Sequence, residues 1–195
     1  MPALDERIAL VTGAGRGYGA QAAHALLNAG AWVCVADLNP DRVTTIQQAL
    51  TEQGGEAAAV QGDVSNKFQA ANMIETTRDQ FDGLHILIMN AHVSPHDDIL
   101  TMDEWNWRRS LEVNVTGAFF TAQLAARVMT DENGGDIVFL LQPAVSAATR
   151  TARGALRGLA KGMRAELATQ NVRVHLIDLE TTSDFEDTLI TLLTS

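Results

Sequence analysis

The sequence predicts an α/β fold: one doubly wound domain, a parallel sheet of about six strands with helices on both faces. Three observations predict it. Short apolar runs alternate with segments of helical length along the chain. A glycine-rich turn, Thr12 to Ala20, directly follows the first run. An acid, Asp37, ends the second. Strand–helix alternation implies right-handed crossovers, which cover both faces of a parallel sheet.

The apolar runs are IALVT (Ile8 to Thr12), WVCVA (Trp32 to Ala36), AAAVQ (Ala57 to Gln61), ILIMN (Ile86 to Asn90), DIVFLL (Asp136 to Leu141) and VRVHLI (Val172 to Ile177). Each is short and bounded by turn or helix signals, as buried strands are. Between them, Asn39 followed by Pro40 reads as a helix cap and a proline at the first helical position. Ser65 reads as the cap of the next helix. Thr101 with Glu104, and Ser183 with Glu186, read as capping boxes. A helix is expected around Trp105 to Met129. The stretch Ala144 to Ala168, AVSAATRTARGALRGLAKGMRAELA, reads as a loop and then a long helix, around Arg150 to Ala168. The remainder, 178–195, reads as a short helical tail. It puts Phe185, Leu189, Leu192 and Leu193 on one face, which predicts docking on the domain. No repeat, low-complexity tract or linker divides the chain, so one domain over residues 1–195 is expected.

Composition narrows the function classes. Of 195 residues, 46% are hydrophobic and 19% charged, as in water-soluble globular domains. A formal net charge of −10 argues against nucleic acid or an anionic membrane as partner. The one cysteine, Cys34, lies in an apolar run and reads as a packed strand residue; it allows no disulfide within the chain, which fits a reducing compartment. The start, MPALDERIALV, is acidic early and has too short an apolar run for a signal peptide. No apolar stretch is long enough to span a bilayer. A cytoplasmic protein is therefore expected, and the sequon Asn114-Val115-Thr116 carries no meaning without secretion. No metal site is expected.

The glycine-rich turn is the strongest chemical signal. Gly13, Gly15, Gly17 and Gly19 stand between the first strand and the first helix, with Arg16 and Tyr18 among them. Glycines there allow a tight turn and let backbone N–H groups reach a pyrophosphate at the positive end of a helix. Asp37, followed by Leu38, stands where an acid accepts hydrogen bonds from the adenosine ribose. An acid there repels a 2′-phosphate, so NAD is favoured over NADP, although Arg16 leaves room for the latter. Both signals also have structural readings: a ligand-free turn, and an acid serving the start of the next helix.

Together, Thr12-Gly13 with Gly17 and Gly19, Asp37, Gly62-Asp63-Val64, Asn90-Ala91 and Asn114 in EVNVTGAFF resemble the short-chain dehydrogenase/reductase family, from about residue 5 to about residue 178. The resemblance implies a Rossmann-type dinucleotide-binding domain. It implies that the loop cradles the pyrophosphate, Asp63 and Val64 lie by the adenine ring, and Asn90 and Ala91 line the ribose. It also implies that Asn114 is the member of the catalytic tetrad that holds a water for proton relay. Each has a local alternative: Asp63 supporting the turn before Ser65, Asn90 satisfying a strand end, Asn114 packed within its helix.

The resemblance breaks where the family does its chemistry. A Ser after the fifth strand, and a Tyr and Lys four residues apart on the following helix, carry the family's hydride chemistry. At these positions the chain has Gln142, Thr149 and Arg153. Its only tyrosine is Tyr18, in the glycine turn. The spacing from Gln142 to Thr149 is shorter than the family's, His92 replaces a usual glycine, and no proline follows Pro143. The chain ends at Ser195 where the family continues into a lid and a seventh strand. Thr149 is no acid near neutral pH and Arg153 stays charged. His92 and His96 are possible acid–base groups, or loop histidines with local bonds.

Three readings follow. The chain binds NAD but has lost the standard chemistry, as a pseudoenzyme, subunit partner or redox sensor; it is an oxidoreductase with a non-standard centre; or it is an interaction module with an empty pocket. The helices around Trp105 to Met129 and Arg150 to Ala168 match the pair that forms the family's main dimer interface. Gly154, Ala155, Gly158 and Gly162 smooth the second of them, so a homodimer through these helices is expected.

Overall fold

A computed structural model of the chain describes residues 2–132 and 134–195. Six strands form one sheet: β1 (Ile8–Thr12), β2 (Trp32–Asp37), β3 (Ala57–Gln61), β4 (Ile86–Met89), β5 (Gly135–Leu141) and β6 (Val172–Asp178). Every pairing is parallel, in the order β3-β2-β1-β4-β5-β6. The six expected runs are these six strands, with ends displaced by a residue at most.

Strand period builds two cores. On β1, Ala9 and Val11 face one core and Leu10 the other; on β4, Ile86 and Ile88 face the first, Leu87 and Met89 the second. The first core is closed by α1 (Gly17–Asn28), α2 (Pro40–Glu52) and α7 (Phe185–Thr194), through Ala22, Leu26, Leu50 and Leu189. The second is closed by α3 (Lys67–Phe81), α5 (Ala118–Asp131) and α6 (Ala147–Glu166), through Met73, Ile74, Met129 and Ala160. Side chains that alternate across a sheet covered on both faces give continuous apolar strands, as the sequence has.

The helix starts correct several expectations. Asn39 caps α2 and Pro40 follows it, as expected. The other three caps sit one or two residues further on. Asn66, not Ser65, caps α3, accepting from the N–H groups of Phe68 and Gln69. Asp103 caps α4 (Glu104–Leu111), and Asp184 caps α7, so neither Thr101 nor Ser183 forms the expected box. In each case an Asn or Asp lies closer to the first apolar turn, and its short carboxyl or amide reaches the N–H two or three residues on. The expected helix from Trp105 to Met129 is interrupted by a π-helical turn, Glu112–Gly117, between α4 and α5. The tail docks as expected: Phe185, Leu189 and Leu193 of α7 are buried, and Leu192 packs beside them. Only residues 179–184 join β6 to α7.

Candidate functional site

The strand order reverses between β1 and β4, because β2 and β3 run to one side and β5 and β6 to the other. A crevice opens outside the carboxyl ends of strands at such a switch point. Here it holds two adjoining cavities, one of about 340 Å³ and a smaller one of about 50 Å³.

The larger cavity begins at the glycine turn. Gly17 has φ +55, which favours glycine, and open space where a side chain would stand. Gly19 lies so close to the Gly13 carbonyl and the Asn90 amide that a Cβ would collide with both. The cap position of α1, Arg16, makes no side-chain capping bond. The first turn of α1 therefore offers its N–H groups to the cavity, and a group with anionic oxygens fits this cradle.

Asp37 stands at the end of β2. One of its oxygens accepts from the Gly15 N–H (3.0 Å) and the other from the Asn39 N–H (3.0 Å). These bonds aim the carboxylate at the cavity wall and explain why it also serves the start of α2. Gly13, Arg16, Gly17, Tyr18, Asp37, Leu38, Asp63, Val64, Asn90 and Ala91 all line the cavity. Gly15 and Gly19 stand behind the lining, at the contacts just described.

The sequence reading missed two cations on this wall, Arg42 and Arg109. Arg109 of α4 donates to Ser65 Oγ (2.9 Å) and to Asp63 Oδ2 (3.0 Å). Partial burial pushes the Asp63 pKa up, but the bonds from Ser65 and Arg109 outweigh it and hold it below the usual carboxylate range. No sequence signal joins two residues that far apart. Arg42 follows Asn39-Pro40-Asp41, where helix-capping signals mask any site signal.

Asn90 links the two cavities. Its amide donates to the Gly13 carbonyl (2.7 Å), and its Oδ1 accepts from Gln142 Nε2 (2.6 Å). Asn114 sits in the π-helical turn, buried, and clamps the backbone of Val93: its Oδ1 accepts from the Val93 N–H (2.8 Å) and its Nδ2 donates to the Val93 carbonyl (2.8 Å). Single π turns inside helices recur at functional positions.

Asn114, Gln142, Thr149 and Arg153 all line the smaller cavity, so the fold does bring them together. Each is tied to the scaffold. Ser146 caps α6, and Thr149 forms a capping box with it. The Thr149 hydroxyl accepts from the N–H groups of Val145 (3.0 Å) and Ser146 (2.9 Å) and donates to the Ser146 carbonyl (3.0 Å). Arg153 donates to the Leu141 and Gln142 carbonyls (3.3 and 3.0 Å), binds both oxygens of Asp178 (2.7 Å each) and pairs with Glu180 (2.8 Å). Gln142 is held by Asn90.

His92 borders both cavities. Its Nδ1 lies 2.9 Å from the Asn90 carbonyl, an acceptor, so Nδ1 carries the proton and Nε2 a lone pair. The ring keeps an exposed face, like that of His96, but desolvation by the groups packed around it lowers its pKa against the effect of that carbonyl, and the nearby Arg16 lowers it further. His96 is exposed and borders neither cavity. Cys34 is fully buried, and burial raises its thiol to about 11, against a bond from Thr77. Among the described residues no cluster of His, Cys, Asp and Glu could hold a metal ion, and no helix is long and apolar enough to cross a membrane.

Comparison with known proteins places this geometry. The family model described as short chain dehydrogenase matches residues 7–183. An uncharacterized oxidoreductase of Methylorubrum extorquens is 34% identical over 185 residues, covering 91% of this chain and 73% of that protein. The crystal structure of a short-chain type dehydrogenase/reductase from Mycobacterium marinum superposes with a TM-score of 0.86 at 32% identity, over 90% of this chain and 72% of that one. A metagenomic short-chain oxidoreductase, solved in complex with NADP, shares the fold with a TM-score of 0.90 at 24% identity, over 99% of this chain and 93% of that one. A matched family model over most of the chain, carried on the same parallel sheet and switch-point crevice, makes this chain a member of the short-chain dehydrogenase/reductase family.

Proposed function

We propose that the crevice holds NAD(H) and that the chain does not carry out the family's tyrosine-dependent carbonyl chemistry. In this reading Gly13, Gly15, Arg16, Gly17, Tyr18 and Gly19 wrap the pyrophosphate at the start of α1. Asp37 and Leu38 meet the adenosine ribose, Asp63 and Val64 the adenine, and Asn90 and Ala91 the ribose track beyond. The bound dinucleotide would supply a site for hydride exchange; what the chain lacks is the family's phenol to move the proton.

One observation carries the reading: the three positions facing the smaller cavity are filled by groups spent on structure. Thr149 completes a capping box, Arg153 ties β5 and β6 to α6, and Gln142 is held by Asn90. A threonine hydroxyl does not ionise near neutral pH, and a guanidinium is too basic to serve as a proton donor there. The connection between β6 and α7, residues 179–184, is too short to fold over the crevice as a substrate cover. The test is a fluorescence titration with NADH, followed by a screen of NADH oxidation over ketones and aldehydes. Saturable binding without turnover above background is expected.

The second reading, an oxidoreductase with a non-standard centre, is favoured by the placement of His92. A neutral imidazole with a free Nε2 at the junction of both cavities is a competent base. Turnover by the unaltered chain that is lost in His92→Ala would establish it.

For assembly, the reading is a homodimer through α4–α5 and α6. A groove of about 440 Å³ lies between α5 and α6, bordered by Phe119, Met163 and Leu167. Gly154, Gly158 and Gly162 leave open space over α6. Light scattering at micromolar concentration tests it, and a monomer counts against it.

A further inference from the structure

We propose that Phe185, the first residue of α7, is a positioning residue for the crevice, so that the terminal helix is part of the cofactor site. The proposal rests on the NAD(H) reading above.

The link is Tyr18, the only tyrosine in the chain. It is the second residue of α1, in the first turn that faces the larger cavity; the residue lines that cavity, and its ring packs on the first core. Its hydroxyl makes no hydrogen bond to any described residue, so packing alone sets the direction of the ring. The packing partner is Phe185. The two rings meet edge to face, with centroids 5.3 Å apart and an interplanar angle of 76°, the arrangement aromatic quadrupoles favour. Phe185 is in turn fixed by the core, at 6% exposure, together with Leu189 and Leu193.

The far end of α7 is anchored independently. Arg173 donates to the Ser195 carbonyl (3.0 Å), and Arg7 and Arg173 both donate to the Leu193 carbonyl (3.4 Å each). Cations at a helix C-terminus favour its docked position. With only residues 179–184 between β6 and α7, the helix cannot shift without moving Phe185 off the Tyr18 ring. A dinucleotide that touches Tyr18 therefore binds better when α7 is docked, and by linkage it strengthens the docking.

The full chain with ring-labelled tyrosine gives one set of tyrosine signals, a direct readout of Tyr18. The expected results are that NADH shifts this signal, and that Phe185→Leu, which keeps apolar bulk but loses the ring edge, weakens NADH binding about three- to tenfold. Phe185→Tyr should restore it. Leu193→Ala, two turns away on the same buried face, should lower thermal stability but, because it leaves Phe185 on the Tyr18 ring, weaken NADH binding less than Phe185→Leu does. Saturating NADH that leaves the Tyr18 signal unmoved overturns the proposal alone. So does an equal loss of affinity in Leu193→Ala, which would make Phe185 a structural residue only. If the unaltered chain binds no NADH, the cofactor reading falls and this proposal falls with it.

Discussion

Asp37 and Arg153 show how single side chains divide the crevice into a half open to a ligand and a half tied to the scaffold. Two backbone N–H groups hold the Asp37 carboxylate at the cavity wall, each using one lone pair of a different oxygen. In the proposed reading the other lone pairs take the ribose hydroxyls. NADH should bind more tightly than NADPH by roughly 1–3 kcal/mol, the worth of a charge-assisted hydrogen bond. Asp37→Asn should narrow that gap, because the amide no longer repels a 2′-phosphate while Arg16 and Arg42 remain on the same wall. Equal affinities for the two cofactors in the unaltered chain, titrated at fixed salt, would remove the role given to Asp37. Arg153 is the opposite case. Its planar fork reaches two carbonyls and two carboxylates at once, and a lysine ammonium cannot reproduce that geometry. In the proposed reading Arg153→Lys returns the family's lysine, yet it should lower stability by about 1–3 kcal/mol, read as a lower denaturant midpoint with an unchanged slope.

The helices show what local sequence reveals and what it hides. Strand positions were legible because a sheet buried on both faces demands unbroken apolar runs, such as IALVT and ILIM. The course of α6 was legible from its alanines, leucines and arginines. Its first turn was not. The expected box has a Glu or Gln at the third helical position, whereas here Thr149 fills it and its shorter hydroxyl reaches back to the Ser146 N–H. Ser146→Ala should therefore cost about 1 kcal/mol, seen in thermal unfolding. The π turn around Asn114 was equally hidden, since six residues are too few to establish a period of their own in EVNVTGAFF. The anchor of α7 was hidden for another reason: it joins residues from four parts of the chain. Asp136, buried at the start of β5, binds Arg7, Arg173 and His175. Burial pushes its pKa up, but the bonds from His175, Arg173 and Arg7 outweigh it and hold it at about 2. The folded value lies below the ordinary 3.8, so this contribution to stability is complete above pH about 4 and is lost as pH falls toward about 2. The melting temperature of the unaltered chain should fall more steeply across that window than that of Asp136→Asn; parallel curves would show that the cluster contributes nothing to acid stability.

The whole molecule sets the limit on what a few substitutions can repair. The crevice was legible in the sequence, because the glycine turn, Asp37 and the order of the elements fix a switch point between β1 and β4. The use of its walls was not, because it depends on contacts such as Gln142 with Asn90 and Arg153 with Asp178, which lie far apart in the chain. Gln142→Ser, Thr149→Tyr and Arg153→Lys, made together, would in the proposed reading return the family's residue types to their positions. Each also removes a support. A serine at 142 no longer reaches Asn90, which holds the Gly13 carbonyl. A tyrosine at 149 leaves the N–H groups of Val145 and Ser146 without their acceptor, at a site only 8% exposed. A lysine at 153 loosens the join of β6 to α6. A catalytic phenol and its lysine must meet the reacting atoms within hydrogen-bond reach, and a misplacement of about 1 Å costs on the order of 100-fold in rate. The triple variant should bind NADH, unfold at a lower temperature than the unaltered chain, and oxidise NADH no faster than background over ketones and aldehydes. Turnover by the triple variant alone would show that the architecture is intact and that three side chains are all this chain lacks; turnover by the unaltered chain would move the chemistry to His92.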